Sequence, residues 1–209
     1  MTRLAIAASI SLACLLSVVA CGGGGCSCDA TITETMFGEP ERDGWVTSMG
    51  SSDALLPGVT GDLDDFANGE SWRQLLSLDH SGVPAGVTIV QATLQVHQRG
   101  VQGTPFTTHG VVTVDHLDYG VVDGFDYATP AITAAYGTLS SDASIGPRTL
   151  DVTSAVRADR EAGRFRTQFR LRFSDLESDG DNIGDHVAFG DADNANPGEE
   201  PVLIVEYKP

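Results

Sequence analysis

Cysteine is absent from the chain after position 28, and basic residues are scarce along its whole length. The lack of a thiol in the body of the chain excludes a cysteine nucleophile there. Twelve Lys+Arg oppose 29 Asp+Glu for a net charge of −17, and the one lysine is Lys208. Phosphate binding needs a dominant basic surface, so this balance excludes nucleic acid as a partner. Hydrophobic residues still make up 41% of the chain, which indicates a globular acidic protein and not a disordered tail.

Sequence motifs of catalysis are missing as well. The chain contains no Gly-x-Ser-x-Gly elbow, no His-Glu-x-x-His zinc motif and no glycine-rich phosphate loop. Acidic residues are numerous, but no pair stands out, and a sequence does not fix the carboxylate separation that glycoside hydrolysis requires. We therefore predict that the protein is not an enzyme.

The first 20 residues have the pattern of a signal peptide. Arg3 is the only charged residue before an apolar stretch over residues 4–20, which is shorter than the roughly 20 residues that a membrane-spanning helix needs. The stretch ends in the letters VVAC at positions 18–21, and four glycines follow. Small residues before a cysteine resemble the lipobox of bacterial lipoproteins. An ordinary secretory signal cut near Ala20 is the alternative interpretation.

The lipobox resemblance implies a membrane partner and a location. In bacterial lipoproteins the signal is cut before the cysteine, whose thiol and new amine then carry acyl chains. Residues 1–20 would be removed, and Cys21 would be the lipidation site. Two or more acyl chains hold a protein stably at a bilayer. Gly22 stands where Asp would favour retention in the inner membrane, so the outer membrane or the cell surface is favoured.

Beyond the signal peptide, residues 21–43 are predicted to hold the lipidated cysteine, a flexible linker and the first strand region. Residues 44–209 have the pattern of strands and turns. Apolar and polar residues alternate over 165–173 and 89–99, which is typical of half-buried strands. Shorter apolar runs predict further strands over 44–48, 72–78, 111–117, 186–189 and 202–207.

One short helix is predicted over residues 153–162. Asp151 or Thr153 can cap its start, and Gly163 can end it. No helices alternate with the strands, so a parallel sheet is not expected. We predict an all-β fold over 44–209, a single jelly-roll-like antiparallel β-sandwich with one short helix.

Five stretches share the motifs of one domain family. They read RQLLSLD at 73–79, SGVPAGVTIVQATL at 81–94, LDVT at 150–153, FRL at 169–171 and PVLIVEY at 201–207. Together they resemble DNRLRE-type domains, which are relatives of carbohydrate-binding module family 96 on secreted bacterial proteins. These domains are β-sandwiches. The resemblance therefore implies the same fold and a non-catalytic, carbohydrate-binding role.

An acidic loop stands between two predicted strands. Its four alternating carboxylates are Asp175, Glu177, Asp179 and Asp181. With Gly180 at the sixth position, they are typical of the start of a calcium loop, although His186 occupies the position of the usual bidentate Glu. A structural calcium site and a solvated acidic turn both remain open. Asp62, Asp64 and Asp65 form a weaker second candidate.

Arginines are concentrated near the strand predicted over 165–173. Alternation places Arg166, Arg170 and Arg172 on one face of that strand, with about 6–7 Å for each two residues. Guanidinium groups in such a row suit the carboxylates of a uronic-acid polysaccharide. The alternative is that Asp and Glu on neighbouring strands neutralise the row, or that the row is solvated.

Two functions of different classes follow from these features. The first is a lipid-anchored module that binds a carbohydrate, with an acidic polysaccharide as one class. The second is a structural or adhesive surface protein that contacts another protein. Exposed aromatic side chains would favour the first function, and a flat apolar patch would favour the second. The aromatic candidates in the central stretch are Tyr119, Phe125, Tyr127 and Tyr136.

Replacing the lipidation cysteine tests the anchor. We expect Cys21→Ser to move the protein from the detergent phase to the aqueous phase in a detergent-partitioning assay, because the acyl chains can no longer be attached. Cys28→Ser is the control and should partition as the wild type does. Unchanged partitioning of Cys21→Ser would contradict the lipoprotein assignment.

Overall fold

The computed structural model describes residues 30–54, 58–63, 69–193 and 196–209. Antiparallel strands dominate this part of the chain and pair into one sheet. The strands are β1 (Ile32–Phe37), β2 (Gly44–Thr47), β3 (Ser52–Asp53), β4 (Gly58–Asp62), β5 (Ser71–Asp79), β6 (Thr88–Gln102), β7 (Val112–Leu117), β8 (Thr133–Ser140), β9 (Gly146–Asp151), β10 (Arg166–Phe173), β11 (His186–Phe189) and β12 (Val202–Lys208). The helices are α1 (Pro105–Thr108), a 3-10 turn η1 (Gly124–Tyr127) and α2 (Thr153–Glu161).

The sheet curls into two facing layers. Its order is β1-β12-β6-β11-β4-β5-β10-β7-β8, with β9 on the other edge of β6 and β2 on β5. The far strand β8 packs against β9, where the backbone of Gly137 lies directly against the side chain of Leu150. The predicted antiparallel β-sandwich is confirmed. β1 pairs with β12 along all six of its residues, so the first strand is an integral edge of the sheet.

The core lies between the two layers. Phe169, Leu171 and Phe173 of β10 face inward and are almost fully buried, as the alternation predicts. They pack in one cluster with Leu94 of β6 and Leu203 of β12. Burial of such side chains contributes roughly 1.5–3 kcal/mol each. The cluster therefore holds the layers together.

The predicted short helix is confirmed as α2. It buries Ala155 and Val156 against the core, and its chain turns away at Gly163, whose φ of +74° suits a residue without Cβ. Val152 occupies the N-cap position, and the Asp151 carboxylate accepts a hydrogen bond from the backbone N–H of Thr153 at 2.9 Å. No helix among the described residues is long and apolar enough to cross a membrane.

The prediction that β10 is a half-buried strand is wrong. Its outer face is also covered, by residues 118–132 and by β2. A second small cluster forms there around Val46, Leu75 and Leu117. The sequence pattern shows which residues share a face of a strand, but it does not show what packs on that face.

Truncation of one core side chain tests the packing. We expect Phe169→Ala to lower the free energy of unfolding by about 3–5 kcal/mol, because it leaves a cavity between the layers. Phe165→Ala is the matched control, since the Phe165 ring is exposed, and it should change stability by no more than about 0.5 kcal/mol. Urea unfolding of both variants gives the comparison. Equal losses would contradict this assignment of the core.

Candidate functional site

The arginine row predicted on β10 is not an open face. Alternation does place Arg166, Arg170 and Arg172 on the outer side of β10, but residues 118–132 cross over that side. Arg170 is 6% exposed. The prediction of an accessible three-arginine platform is therefore wrong, and the physical reason is the pairing described next.

Asp115 of β7 is the centre of this arrangement. Its carboxylate is 1% exposed and accepts hydrogen bonds from Arg170 Nη2 at 2.7 Å and from Arg172 Nε at 2.9 Å. The backbone N–H of Ala135 donates to the same carboxylate at 2.8 Å. Burial by itself would raise the pKa of Asp115, but the hydrogen bonds from Arg172, Ala135 and Arg170 outweigh it and hold the pKa below its usual value.

The remaining donors of Arg170 hold the covering segment. Its Nη1 donates to the carbonyl oxygens of Tyr127 and Thr129, both at 2.9 Å. Arg172 Nη1 donates to the carbonyl oxygen of Phe173 at 3.0 Å. Arg170 therefore fastens residues 118–132 to the sheet, and both arginines are engaged by Asp115. The sequence left open the alternative that Asp and Glu on neighbouring strands neutralise the arginine row. At Arg170 and Arg172 the structure has this arrangement, with Asp115 of β7 as the acid.

Arg166 is different, because it lies at the rim of the covered face. Its Nε donates to both carboxylate oxygens of Glu39 at 2.9 and 2.8 Å, and its Nη2 lies 3.7 Å from Asp79. More than a third of its side chain remains accessible to solvent. Its role in binding stays a prediction.

The predicted calcium ligands are not brought together. Glu177 is held by a two-pronged ion pair with Arg73, with both N···O distances at 2.6 Å, and the Arg73 guanidinium lies 3.8 Å from the ring centre of Tyr127. Asp179 and Asp181 accept hydrogen bonds from backbone N–H groups two residues further on, and Asp175 accepts one from Ser174 Oγ. Each of the four carboxylates therefore has its own partner within the protein.

In the part of the chain that is described, no three His, Cys, Asp or Glu side chains converge as a metal cluster. Asp62 is buried and accepts a hydrogen bond from the backbone N–H of Asp185 at 2.7 Å. Its predicted companions Asp64 and Asp65 lie outside the described residues, as does Cys21. The acidic loop at 175–181 thus supports the solvated-turn interpretation better than the calcium one.

An exposed aromatic side chain lies where the arginine-rich segment enters the sheet. Phe165, the residue before β10, is 65% exposed, although the alternation assigned it to the buried face. It lies beyond the last pair of the sheet, and its carbonyl oxygen accepts a hydrogen bond from His80 N–H at 2.8 Å. The backbone is thereby fixed while the ring is left in solvent.

Two hollows meet at the Phe165 ring. The larger has a volume of about 440 Å³ and is lined by residues 81–87 and by Arg160, Arg164 and Phe165. The smaller, of about 150 Å³, is lined by Arg42, Arg164, Phe165 and Arg166 among others. We call this region the Phe165 surface. It combines one exposed ring with four arginines.

Hydrogen bonds to the domain hold the arginines of the Phe165 surface in position. Arg164 Nε donates to the buried carboxylate of Asp159 at 2.7 Å, and Arg160 Nη1 donates to the carbonyl oxygen of Val83 at 3.1 Å. Arg42 donates to the carbonyl oxygen of Gly120 at 2.5 Å. These contacts hold the guanidinium groups in place at the edges of the two hollows. Positioned donors beside an apolar ring are suited to a ligand with an apolar face and polar edges.

Of the aromatic residues predicted as exposed candidates, only Phe125 stands out, at 88% exposure. Tyr119, Tyr127 and Tyr136 are half-buried. Trp45 and Trp72 stack on each other with ring centres 4.1 Å apart. The sequence did contain a signal for Phe165, since it follows Gly163 directly after the helix and precedes the first residue that can pair in the strand.

A scan against models of protein families gives no match, and a search of curated proteins gives none either. The resemblance to DNRLRE-type domains therefore stays a prediction from the motifs.

The ion-pair network makes a testable prediction about acid stability. Asp115→Asn should lower the free energy of unfolding at pH 7 by about 3–5 kcal/mol, because the buried Arg170 and the partly buried Arg172 lose their shared carboxylate. The lowered pKa of Asp115 means that its contribution is complete above the pKa of the unfolded chain, about 3.9, and is lost as the pH falls further. The difference between wild type and variant should therefore shrink on acidification below about pH 4.

Urea unfolding between pH 3 and pH 7 measures this difference. Asp118→Asn serves as the control, because its side chain is more than half exposed and lies 4.0 Å from Arg164. It should change stability by no more than about 0.5 kcal/mol at any pH. A small effect of Asp115→Asn at pH 7 would show that the network is not a major source of stability.

Proposed function

We propose that the protein is a lipid-anchored surface protein whose β-sandwich is a non-catalytic module that binds a carbohydrate at the Phe165 surface. The observation that carries the proposal is the Phe165 ring, exposed between two arginine-edged hollows on an otherwise well-packed domain. The lipobox resemblance at Cys21 supports the anchor, and Gly22 supports a place at the outer membrane or cell surface.

The chemistry of the surface suits a sugar ring. The C–H face of a pyranose can lie on the Phe165 ring, while its hydroxyl groups reach the guanidinium groups at the edge. Both hollows are open to solvent, so they suit one stretch of a long chain better than an enclosed small molecule. A sugar chain bound in this way needs no catalytic groups at the site.

The arginines favour an acidic polysaccharide as the first ligand to test. The whole chain carries a charge of −17, which repels a polyanion at long range. Binding of a uronic acid would thus depend on the local contacts of Arg42, Arg160, Arg164 and Arg166, since a guanidinium can grip a carboxylate with two hydrogen bonds. Because Arg170 and Arg172 are enclosed, they have no place in this site.

A second function is favoured by a different observation. Phe125 is 88% exposed, and the neighbouring Met49 and Val121 are more than half exposed. Gly124 packs directly against the carbonyl oxygen of Gly50, which brings the β2–β3 turn next to Phe125. This apolar patch supports a structural or adhesive protein that contacts another protein.

A binding assay with two matched phenylalanine variants tests the proposal. We expect the full chain to bind a polyuronate such as alginate on a glycan array, and Phe165→Ala to weaken that binding about tenfold, because loss of ring stacking costs roughly 0.5–1.5 kcal/mol. Phe125→Ala is the control and should bind as the wild type does. Raising the salt concentration should weaken wild-type binding, because the arginine contacts are screened.

The array also separates the two functions. Binding of neutral glycans that depends on Phe165 would keep the site and change the ligand class. Equal binding by wild type and Phe165→Ala would place the carbohydrate site elsewhere. If no glycan binds and Phe125→Ala alone abolishes attachment to a surface, the adhesive function takes its place.

A further inference from the structure

A buried carboxylate follows Arg42 at one edge of the Phe165 surface, and Glu39, the partner of Arg166, is among the charges that act on it. Asp43 ends the turn that precedes β2, and it is 1% exposed. Its Oδ1 accepts a hydrogen bond from the backbone N–H of Ser77 at 2.6 Å. Its Oδ2 is buried and has no hydrogen-bond partner among the described residues. A buried charge that lacks a partner costs several kcal/mol, so this oxygen calls for an explanation.

The free oxygen points at the segment before β12. A Cβ added to Gly38 would lie 2.4 Å from Asp43 Oδ2 and 3.2 Å from the Cβ of Ala192, so the three groups meet at one place. Only glycine fits at position 38. Asp191, the neighbour of Ala192, is also 1% exposed. Asp43 and Asp191 thus come from opposite ends of the domain, and both Asp43 Oδ2 and Ala192, the residue after Asp191, pack against Gly38.

The charged groups that act most strongly on Asp43 are all acidic. Burial raises the pKa of Asp43 well above its usual range, against the hydrogen bond from Ser77, and the negative charges of Asp191, Glu39 and Asp193 raise it further. No arginine is among the groups that act on it most strongly. By contrast, Asp115 and Asp159, which are equally buried, are both paired with arginine.

We propose that Asp43 and Asp191 bind a calcium ion, with Asp43 Oδ2 as one of its ligands. Calcium takes six to eight oxygen ligands in flexible geometry, and two carboxylates can be completed by backbone carbonyls and water. Magnesium demands a near-ideal octahedron and gives up water reluctantly, so it suits this enclosed place less well. The site is independent of the carbohydrate proposal and differs from the loop at 175–181.

The ion would add a link between the segment that follows β1 and the segment that precedes β12, two strands that are paired in the sheet. Asp43 holds the β1–β2 connection to β5 through Ser77, and Gln74 of β5 holds the next segment through a hydrogen bond from Nε2 to the carbonyl oxygen of Gly190 at 3.1 Å. A cation between Asp43 and Asp191 would close this loop of contacts. The expected role is structural, because both carboxylates are buried and the ion would lie between packed segments of the domain.

A bound proton is the competing explanation. If Asp43 is simply protonated, its raised pKa makes a contribution to stability at low pH. That contribution is lost as the pH rises through the raised pKa. A calcium ion gives the opposite dependence, because it competes with the proton and binds more tightly as the pH rises. The two explanations are therefore distinguishable by adding calcium at neutral pH.

Thermal unfolding of the purified full chain, in EDTA and in millimolar calcium at pH 7.5, tests the proposal. We expect calcium to raise the unfolding midpoint of the wild type by at least about 4 °C. Asp43→Asn should abolish this shift, and in EDTA it should be at least as stable as the wild type, because the unpaired charge is gone. If Asp43→Asn does not fold, Asp191→Asn provides the same comparison.

Asp181→Asn is the matched control, since it removes one carboxylate from the acidic loop at 175–181. It should keep the full calcium shift. Loss of the shift in Asp181→Asn, but not in Asp43→Asn, would move the site to that loop and overturn the proposal. Absence of any calcium shift in the wild type, with stability that falls as the pH rises above the unfolded pKa of about 3.9, would show that a proton neutralises Asp43 instead.

Discussion

The outer face of this sandwich depends on one buried carboxylate. Asp115 accepts hydrogen bonds from both Arg170 and Arg172, and Arg170 also donates to the carbonyl oxygens of Tyr127 and Thr129 in the segment that covers it. Without the carboxylate, two guanidinium groups would lie under a loop with no negative charge beside them, which is far more costly than an exposed charge. The position of residues 118–132, and with it the second small core around Leu75, follows from this pairing.

His116, the residue after Asp115 on β7, makes a similar buried polar contact on the inner face of the sheet. His116 Nε2 lies 2.9 Å from the Asp159 carboxylate on α2, and that carboxylate also accepts a hydrogen bond from Arg164. Strand β7 therefore carries two buried polar anchors, one on each face. The inner anchor ties α2 to the sheet and sets where Arg164 emerges. The Phe165 surface is thus a consequence of how the helix is fastened to the core.

The layers of the fold could be predicted from the sequence, but the position of residues 118–132 over their outer face could not. Alternation over β6 and β10 identified Leu94, Phe169 and Leu171 as core residues, because the period of a strand follows directly from its geometry. An arginine on the opposite face gives the same sequence pattern whether water or a loop lies above it. The partner of Arg170 is 55 residues away in the chain, and no local rule links the two positions. Phe165 was misassigned for a related reason, since alternation does not show where pairing begins.

The acidic composition of the chain affects how its buried carboxylates are neutralised. The chain has 29 acidic residues and 12 basic ones, and it does not place an arginine beside each carboxylate that the fold buries. Asp115 and Asp159 have arginines, whereas Asp62 and Asp185 are served by backbone N–H groups. Asp43 has such a donor for one oxygen alone. Buried carboxylates must be neutralised in some way, because an uncompensated charge in a low-dielectric interior is not tolerated. Among these carboxylates, Asp43 Oδ2 is the oxygen without such a donor, and the calcium ion proposed above would link the stability of the domain to its medium at this point.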